Sequence, residues 1–159
     1  MLKLLDTFDT DELFRICSNA EFAIDGTGIL MANGQWGGIP SWVAQALEPH
    51  LDCLYAYIGL RELKHVMVNA ILPGGGSGMH VDPTPNGVRF ERWHLPLKTN
   101  PKALFYYDDA WHHLEKGWWH GPVKYWERHA VCNQGEETRV HLIVDVLSIA
   151  SESSAAKTF

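Results

Sequence analysis

Cysteine is scarce in this chain. Three residues, Cys17, Cys53 and Cys132, stand far apart in 159 positions and form no Cys-x-x-Cys pair. An odd, scattered set excludes a zinc ribbon and a disulfide framework, and it points to reduced thiols in a cytoplasmic protein. Long apolar runs are missing too. None approaches the roughly 18 residues that a membrane-spanning helix needs, and the opening MLKLLDTFDT lacks the apolar core of a secretory signal. The expectation is a soluble chain with no membrane partner. Basic charge is in deficit, thirteen Lys and Arg against nineteen Asp and Glu, for a formal charge of −6. That balance leaves no electrostatic footprint for duplex nucleic acid. Repeats, low-complexity tracts and linkers are absent, so one domain is expected over residues 1–159. Within it, residues 1–64 read as a mixed, partly helical support, 65–147 as the core and 148–159 as a tail. A domain of this length buries roughly 70% of its unfolded surface and needs no disulfide or metal to fold. Nothing in the pattern speaks to oligomeric state.

Histidine and tryptophan are the enrichments, with nine and seven residues. Six of the nine histidines fall from His80 to His129, and His141 follows, so the chemistry is expected in the C-terminal half. The N-terminal half reads as scaffold. Thr10, followed by Asp11 and Glu12, suits a helix start, and Leu13, Ile16, Cys17 and Ala20 recur at helical spacing. Residues 27–40 are rich in Gly and Asn and read as a surface loop. A short helix is expected over residues 41–49, whereas 51–60 fit helix or strand. From His65 the pattern changes to short β-like runs: HVMVNAIL, MHVD, FERWHLPL, ALFYYD, PVKYW, HAVCN and TRVHLIVDVL. Short strands at that spacing predict a mainly β chain, a jelly-roll barrel with the N-terminal helices packed on one side. PGGGSG, between the first two runs, has no GxxxxGK[ST], and Met79 stands where GxGxxG needs its last glycine. It is therefore read as a bend and not as a phosphate loop.

His80-Val81-Asp82 is the first chemical signal. In an extended strand, residues i and i+2 face the same way, so the imidazole and the carboxylate converge. A third ligand must come from another strand, and His129 in RHAVCN is placed for it. Two imidazoles and one carboxylate on one face of an octahedron leave three positions open. That suits Fe(II), which must take a co-substrate and O2 together. HxD alone is a weak motif, and a surface turn with a satisfied histidine is the plainer reading. The last strand shifts the balance. In TRVHLIVDVL, Arg139, His141, Ile143 and Asp145 alternate with Val140, Leu142, Val144 and Val146, so both faces carry large apolar groups. A guanidinium buried there needs an anion, and its fork matches a carboxylate through two parallel hydrogen bonds. The distal carboxylate of 2-oxoglutarate would supply one while its other end chelates the iron; an internal salt bridge to Asp145 or Asp82 is the alternative. FERWHLPL repeats the arrangement, with Phe90, Arg92 and His94 on one face and Trp93, Leu95 and Leu97 on the other. Arg92 and His94 are candidates for a co-substrate or substrate carboxylate, and an exposed edge-strand face is the alternative.

The segments ILPGGGSGMHVD, RWHLPLKTNP and RHAVCNQGEETRVHLIVDV, taken in this order and spacing, resemble the aspartyl/asparaginyl β-hydroxylase family of Fe(II)/2-oxoglutarate oxygenases. That family also takes in bacterial cis-4-proline hydroxylases. The likeness runs from about Val66 to Val146, half the chain, and implies a double-stranded β-helix, the cupin-like form of the jelly roll. It further implies His80, Asp82 and His129 as the metal-binding catalytic centre, Arg139 as the co-substrate arginine, and Arg92, His94 and Asn69 as further contacts to 2-oxoglutarate. Some members lack the carboxylate ligand, so Asp82 brings this chain nearer the proline-hydroxylase pattern. The implied reaction couples decarboxylation of 2-oxoglutarate to succinate with hydroxylation of an unactivated C–H by O2. The resemblance implies as substrate a free amino acid, or an Asp, Asn or Pro side chain in a peptide or protein, with Arg89, Lys98 and the tryptophans as candidate contacts. Where relatives carry Gly-Glu-x-Trp before the distal histidine, this chain has EKGWWHGPVKYWERH, which leaves Trp118, Trp119 and His120 without a role. His112, His113 and His120 are read as loop residues near the pocket mouth. Rival readings are a non-oxidative metal-binding cupin, a catalytically inactive binding module on the same barrel, and a nucleic-acid demethylase, the last disfavoured by the acidic charge.

Overall fold

The computed structural model describes residues 1–19, 32–33 and 41–148. Most of the loop expected over residues 27–40 and nearly all of the tail lie outside the described residues. In chain order the elements are β1 (Leu2–Leu5), α1 (Thr10–Asn19), β2 (Ala32–Asn33), α2 (Ser41–Ile58), β3 (Leu63–Ile71), β4 (Gly76–His80), β5 (Phe90–Lys98), β6 (Ala103–Tyr107), β7 (Ala110–His113), β8 (Trp118–Lys124), β9 (His129–Asn133) and β10 (Arg139–Leu147). They form two antiparallel sheets, six strands in the order β1-β8-β5-β10-β3-β2 and four in the order β4-β9-β6-β7. From β3 onward the chain passes back and forth between the sheets, the jelly roll expected from the strand spacing.

Alternation along the long strands explains the layering. Val140, Leu142, Val144 and Val146 of β10 join Trp93, Leu95 and Leu97 of β5 in a core closed by Leu13 and Cys17 of α1 and Val43, Leu47, Leu51 and Leu54 of α2. The opposite face of the same strands turns Arg92, His94, Arg139 and Ile143 toward a cavity, which Phe105 of β6 and His129 and Val131 of β9 line from the second sheet. Coverage on both faces is why β10 reads as a nearly unbroken apolar run. Pro96, which has no N–H to give the ladder, sits where the β5–β10 register shifts between Val140 and His141.

Helix α1 is capped by Asp9, whose Oδ1 accepts the N–H groups of Asp11 at 2.8 Å and Glu12 at 3.2 Å. Helix α2 runs past Pro49, where it was expected to stop, and takes in residues 51–58. A proline inside a helix costs roughly 3 kcal/mol. Leu47, Leu51 and Leu54 are buried on either side of it, and at about 2 kcal/mol each they outweigh that cost. Strand β7, absent from the expected runs, forms a hairpin with β6 around Asp108 and Asp109, both at positive φ (55° and 58°). His112 and His113 therefore belong to a strand and not to a loop; their ring nitrogens meet the carbonyls of Tyr107 (2.9 Å) and Ala103 (3.3 Å). His120 lies buried in β8, 3.2 Å from the Glu115 carbonyl. None of the three lines the cavity. None of the described helices is long and apolar enough to cross a membrane.

One buried carboxylate ties the N-terminal segment to the barrel. Asp6 Oδ2 accepts the Trp119 indole N–H at 2.8 Å and lies 3.0 Å from His50 Nδ1, while its Oδ1 accepts the Phe8 N–H at 2.9 Å. Trp119, without a role in the sequence reading, is thus a core residue anchored by Asp6. Asp6→Ala would strand two buried donors, and the expected loss is about 3 kcal/mol of unfolding free energy in urea titration; an unchanged midpoint would show that the carboxylate holds nothing together.

Candidate metal centre

Strands β4 and β9 pair in the register Gly76↔Cys132, Ser77↔Val131 and His80↔His129, with an irregularity between Ser77 and His80. Gly76 is required there, because a Cβ would stand 2.3 Å from the Val131 carbonyl oxygen. The strand ends at His80, so Asp82 reaches the site from the following loop and not from the extended strand expected for HxD. Its place is set instead by its own N–H, which donates to the Tyr125 carbonyl at 2.9 Å.

The two imidazoles lie with ring centroids 4.3 Å apart. His80 Nδ1 is 2.7 Å from the Gly78 carbonyl, and His129 Nδ1 is 2.9 Å from the Glu127 carbonyl. A carbonyl only accepts, so each Nδ1 carries the proton and each Nε2 offers its lone pair. Those two nitrogens and the Asp82 carboxylate lie within 4.8 Å of one another, with His80 Nε2 3.5 Å from Oδ1 and His129 Nε2 3.8 Å from Oδ2. Burial holds the His129 imidazole below its ordinary pKa, against the pull of the Glu127 carbonyl and Asp82, which favours the neutral form a metal needs. Two nitrogens and one carboxylate, open toward the cavity, could hold Fe(II) facially and leave positions for further ligands.

The adjoining cavity has a volume of about 760 Å3. Arg139 lines it at 3% exposure. Its Nη1 donates to Asn69 Oδ1 at 2.9 Å and its Nη2 to His141 Nδ1 at 2.8 Å. Among the described residues no carboxylate pairs with it. Asp82 and Asp145, the two candidates for an internal salt bridge, both bond Arg92. Burial without a counter-charge draws the Arg139 guanidinium down to about 9, still cationic at neutral pH. His94 also lines the cavity, and both of its ring nitrogens are buried with no hydrogen-bond partner among the described residues. Burial, then the charges of Arg139 and Arg92, keep it well below its ordinary pKa and therefore neutral.

Arg92 stands differently. Its Nε and Nη2 bond Asp145 Oδ1 and Oδ2 at 2.7 and 2.9 Å, and its Nη1 bonds Asp82 Oδ2 at 2.9 Å. Burial works to lower its pKa, but the two carboxylates, Asp145 foremost, hold it above the ordinary value. For Asp145, burial works to raise the pKa; Arg92 and then His65, 3.4 Å away, hold it below. Arg92, Asp145 and His65 face one another on adjacent strands β5, β10 and β3. The sequence reading missed the apolar walls of the cavity, Met67, Ile71 and Phe105. For Phe105 the signal was available, since Ala103, Phe105 and Tyr107 alternate as the buried positions of β6. Arg89 stacks over Trp126 and Lys98 lies 3.6 Å from Glu137; neither lines the cavity.

The family model described as Aspartyl/Asparaginyl beta-hydroxylase matches residues 47–148, well over half of the chain. No curated protein matches it in sequence. Among solved structures, the chain is similar to an oxidoreductase of the 2OG-Fe(II) oxygenase family from Burkholderia pseudomallei, with TM-score 0.61 and 18% identity over 88% of this chain and 79% of that one. It is similar also to a Pseudomonas putida prolyl-4-hydroxylase, with TM-score 0.58 and 16% identity over 92% and 91% of the two chains. A viral collagen prolyl hydroxylase from Paramecium Bursaria Chlorella virus-1, solved as its 2OG complex, gives TM-score 0.55 and 13% identity over 92% and 96%. At these identities the likeness is one of fold.

The Asp145 pair makes stability pH-dependent with a definite sign. A carboxylate whose folded pKa is depressed contributes fully above its ordinary value of about 4, and the contribution is lost as pH falls below that toward the folded value. Thermal melts should therefore show the wild-type Tm falling steeply below about pH 4. Asp145→Asn, less stable at pH 7, should show a shallower fall. Parallel curves for the two proteins would remove Asp145 from the account.

Proposed function

The chain belongs to the aspartyl/asparaginyl β-hydroxylase family, and from that premise we propose that it is an Fe(II)- and 2-oxoglutarate-dependent dioxygenase that hydroxylates an amino acid or an amino-acid side chain in a peptide or protein. One observation carries the reading: Arg139 is buried in the cavity that His80, Asp82 and His129 also line, and among the described residues no carboxylate pairs with it. An unpaired buried guanidinium is costly, and a dicarboxylate removes the cost. A non-oxidative cupin has no use for it.

The residues present fit the group. His80, Asp82 and His129 would hold the iron, and Arg139, turned by Asn69 and His141, would take the distal carboxylate of 2-oxoglutarate through its fork. His94, neutral and without a partner among the described residues, has a ring N–H to offer another oxygen of that ligand. When bound, the iron, 2-oxoglutarate and O2 together supply the oxidising power, one oxygen atom passing to succinate and the other to the substrate C–H. Met67, Ile71, Phe105 and Ile143 keep the surroundings apolar. The three free cysteines support a cytoplasmic location.

Anaerobic titration of the Fe(II)-loaded protein with 2-oxoglutarate tests the reading. A saturable visible charge-transfer band is expected. Arg139→Ala should weaken 2-oxoglutarate binding by about 3 kcal/mol, roughly a hundredfold, with Fe(II) affinity unchanged, whereas Asp82→Ala should lose Fe(II) itself. Equal loss of Fe(II) in both variants would sink this division of roles.

A further inference from the structure

The surface away from the cavity carries its own pattern. Among the described residues, half of the exposed large apolar side chains lie on β1, the turn after it and the end of α2: Leu2, Leu5, Phe8, Tyr57 and Leu60, each 45% to 87% exposed. None of the five lines the cavity. The segment from β1 to Phe8 runs beside the helix. The Phe8 ring meets His50 edge-on at 5.7 Å, Thr7 Oγ1 lies 4.0 Å from Cys53 Sγ, and Cys53 Sγ lies 3.6 Å from the Leu5 carbonyl. His50, Cys53 and Tyr57 recur at helical spacing, so Tyr57 continues the same patch one turn on. Strand β1 is also an outer strand of the six-stranded sheet, paired on one side with β8. The Asp6 N–H donates to the Gly117 carbonyl. Bonding alternates along an antiparallel ladder, so Leu2 and Leu4 bond β8, while Lys3 and Leu5 turn their backbone groups outward. Monomeric proteins blunt such an edge with a proline or a free lysine. Strand β1 has neither, because the Lys3 ammonium pairs with Glu115 and lies over the Trp118 ring.

We propose that this edge and its apolar flank are the contact surface for a second copy of the chain, with β1 pairing antiparallel to β1 of the copy about a two-fold axis at Leu4. Identical strands in an antiparallel pair are related by a two-fold, which makes an edge of this kind self-complementary. Residues opposite one another share a face of the sheet, so the axis falls on a residue. Full overlap of a four-residue strand puts it on Lys3 or Leu4. On Lys3 it would set two ammonium groups opposite each other. On Leu4 it sets Lys3 opposite Leu5 of the second copy, and these are the two positions whose backbone groups point outward. The two larger sheets would then join edge to edge, with Phe8, Tyr57 and Leu60 of both copies flanking the seam. Five side chains offering on the order of 100 Å2 each cover about 1,000 Å2 over two copies, the size at which a specific contact begins.

Analytical ultracentrifugation of the full chain from about 1 μM to about 1 mM reads the contact. The mass should rise from 18.0 kDa toward twice that value. Leu5→Lys sets a second ammonium opposite Lys3 and should hold the chain monomeric throughout. Leu5→Glu sets a carboxylate there and should dimerise at least as well as wild type. Tyr57→Lys, off the strand, should raise the dissociation constant about tenfold, and it decides alone if the Leu5 variants give no cooperative melt. A wild type that stays at 18.0 kDa would overturn the proposal and leave the patch to a different partner. A mass that climbs past the dimer would mean an open-ended contact and overturn the two-fold. Dimers that Leu5→Lys and Tyr57→Lys leave unchanged would put the interface elsewhere and equally overturn it.

Discussion

Strand β10 is covered on both faces, and the two coverings differ in chemistry. Outward, Val140, Leu142, Val144 and Val146 pack under the helices. Inward, Arg139, His141 and Asp145 are equally buried among polar partners. Each buried aliphatic side chain contributes on the order of 2 kcal/mol, and the strand's outer face holds it in place while its inner face carries groups that would destabilise it. The rest of the molecule follows from that constraint. The helices are where they are because the outer face needs them, and the second sheet closes the cavity into which the polar face turns.

Inside that cavity, the same device recurs: a reactive side chain is held by one atom so that another stays free. Carbonyls of Gly78 and Glu127 take the Nδ1 protons of His80 and His129 and leave both Nε2 atoms open. Asn69 and His141 turn Arg139 without neutralising it. Asp145 does neutralise Arg92, and this separates two guanidiniums that look alike in the sequence. A guanidinium already bonded to a carboxylate draws an incoming anion less strongly than one that is not.

Much of this was legible in the amino-acid sequence, because strand alternation is a local property. The two faces of β5 and β10 and the buried Arg139 follow from neighbouring residues and period two. Contacts made across strands were not legible. Asp145 is opposite Arg92 and His65 only because β10 pairs with β5 and β3 in one register, so which arginine it neutralises depends on tertiary structure. Asp82 joins the histidines through a bond to Tyr125, forty-three residues on, after the strand has ended. Pro49 stays inside α2 because leucines on both sides are packed against the sheet, a burial that no local propensity contains. The sequence by itself determined which residues would face inward together. Tertiary structure decided which of those charges would cancel and which would be left for a ligand, because cancellation needs two carboxylate oxygens within hydrogen-bond reach of one guanidinium, and only strand pairing brings them there.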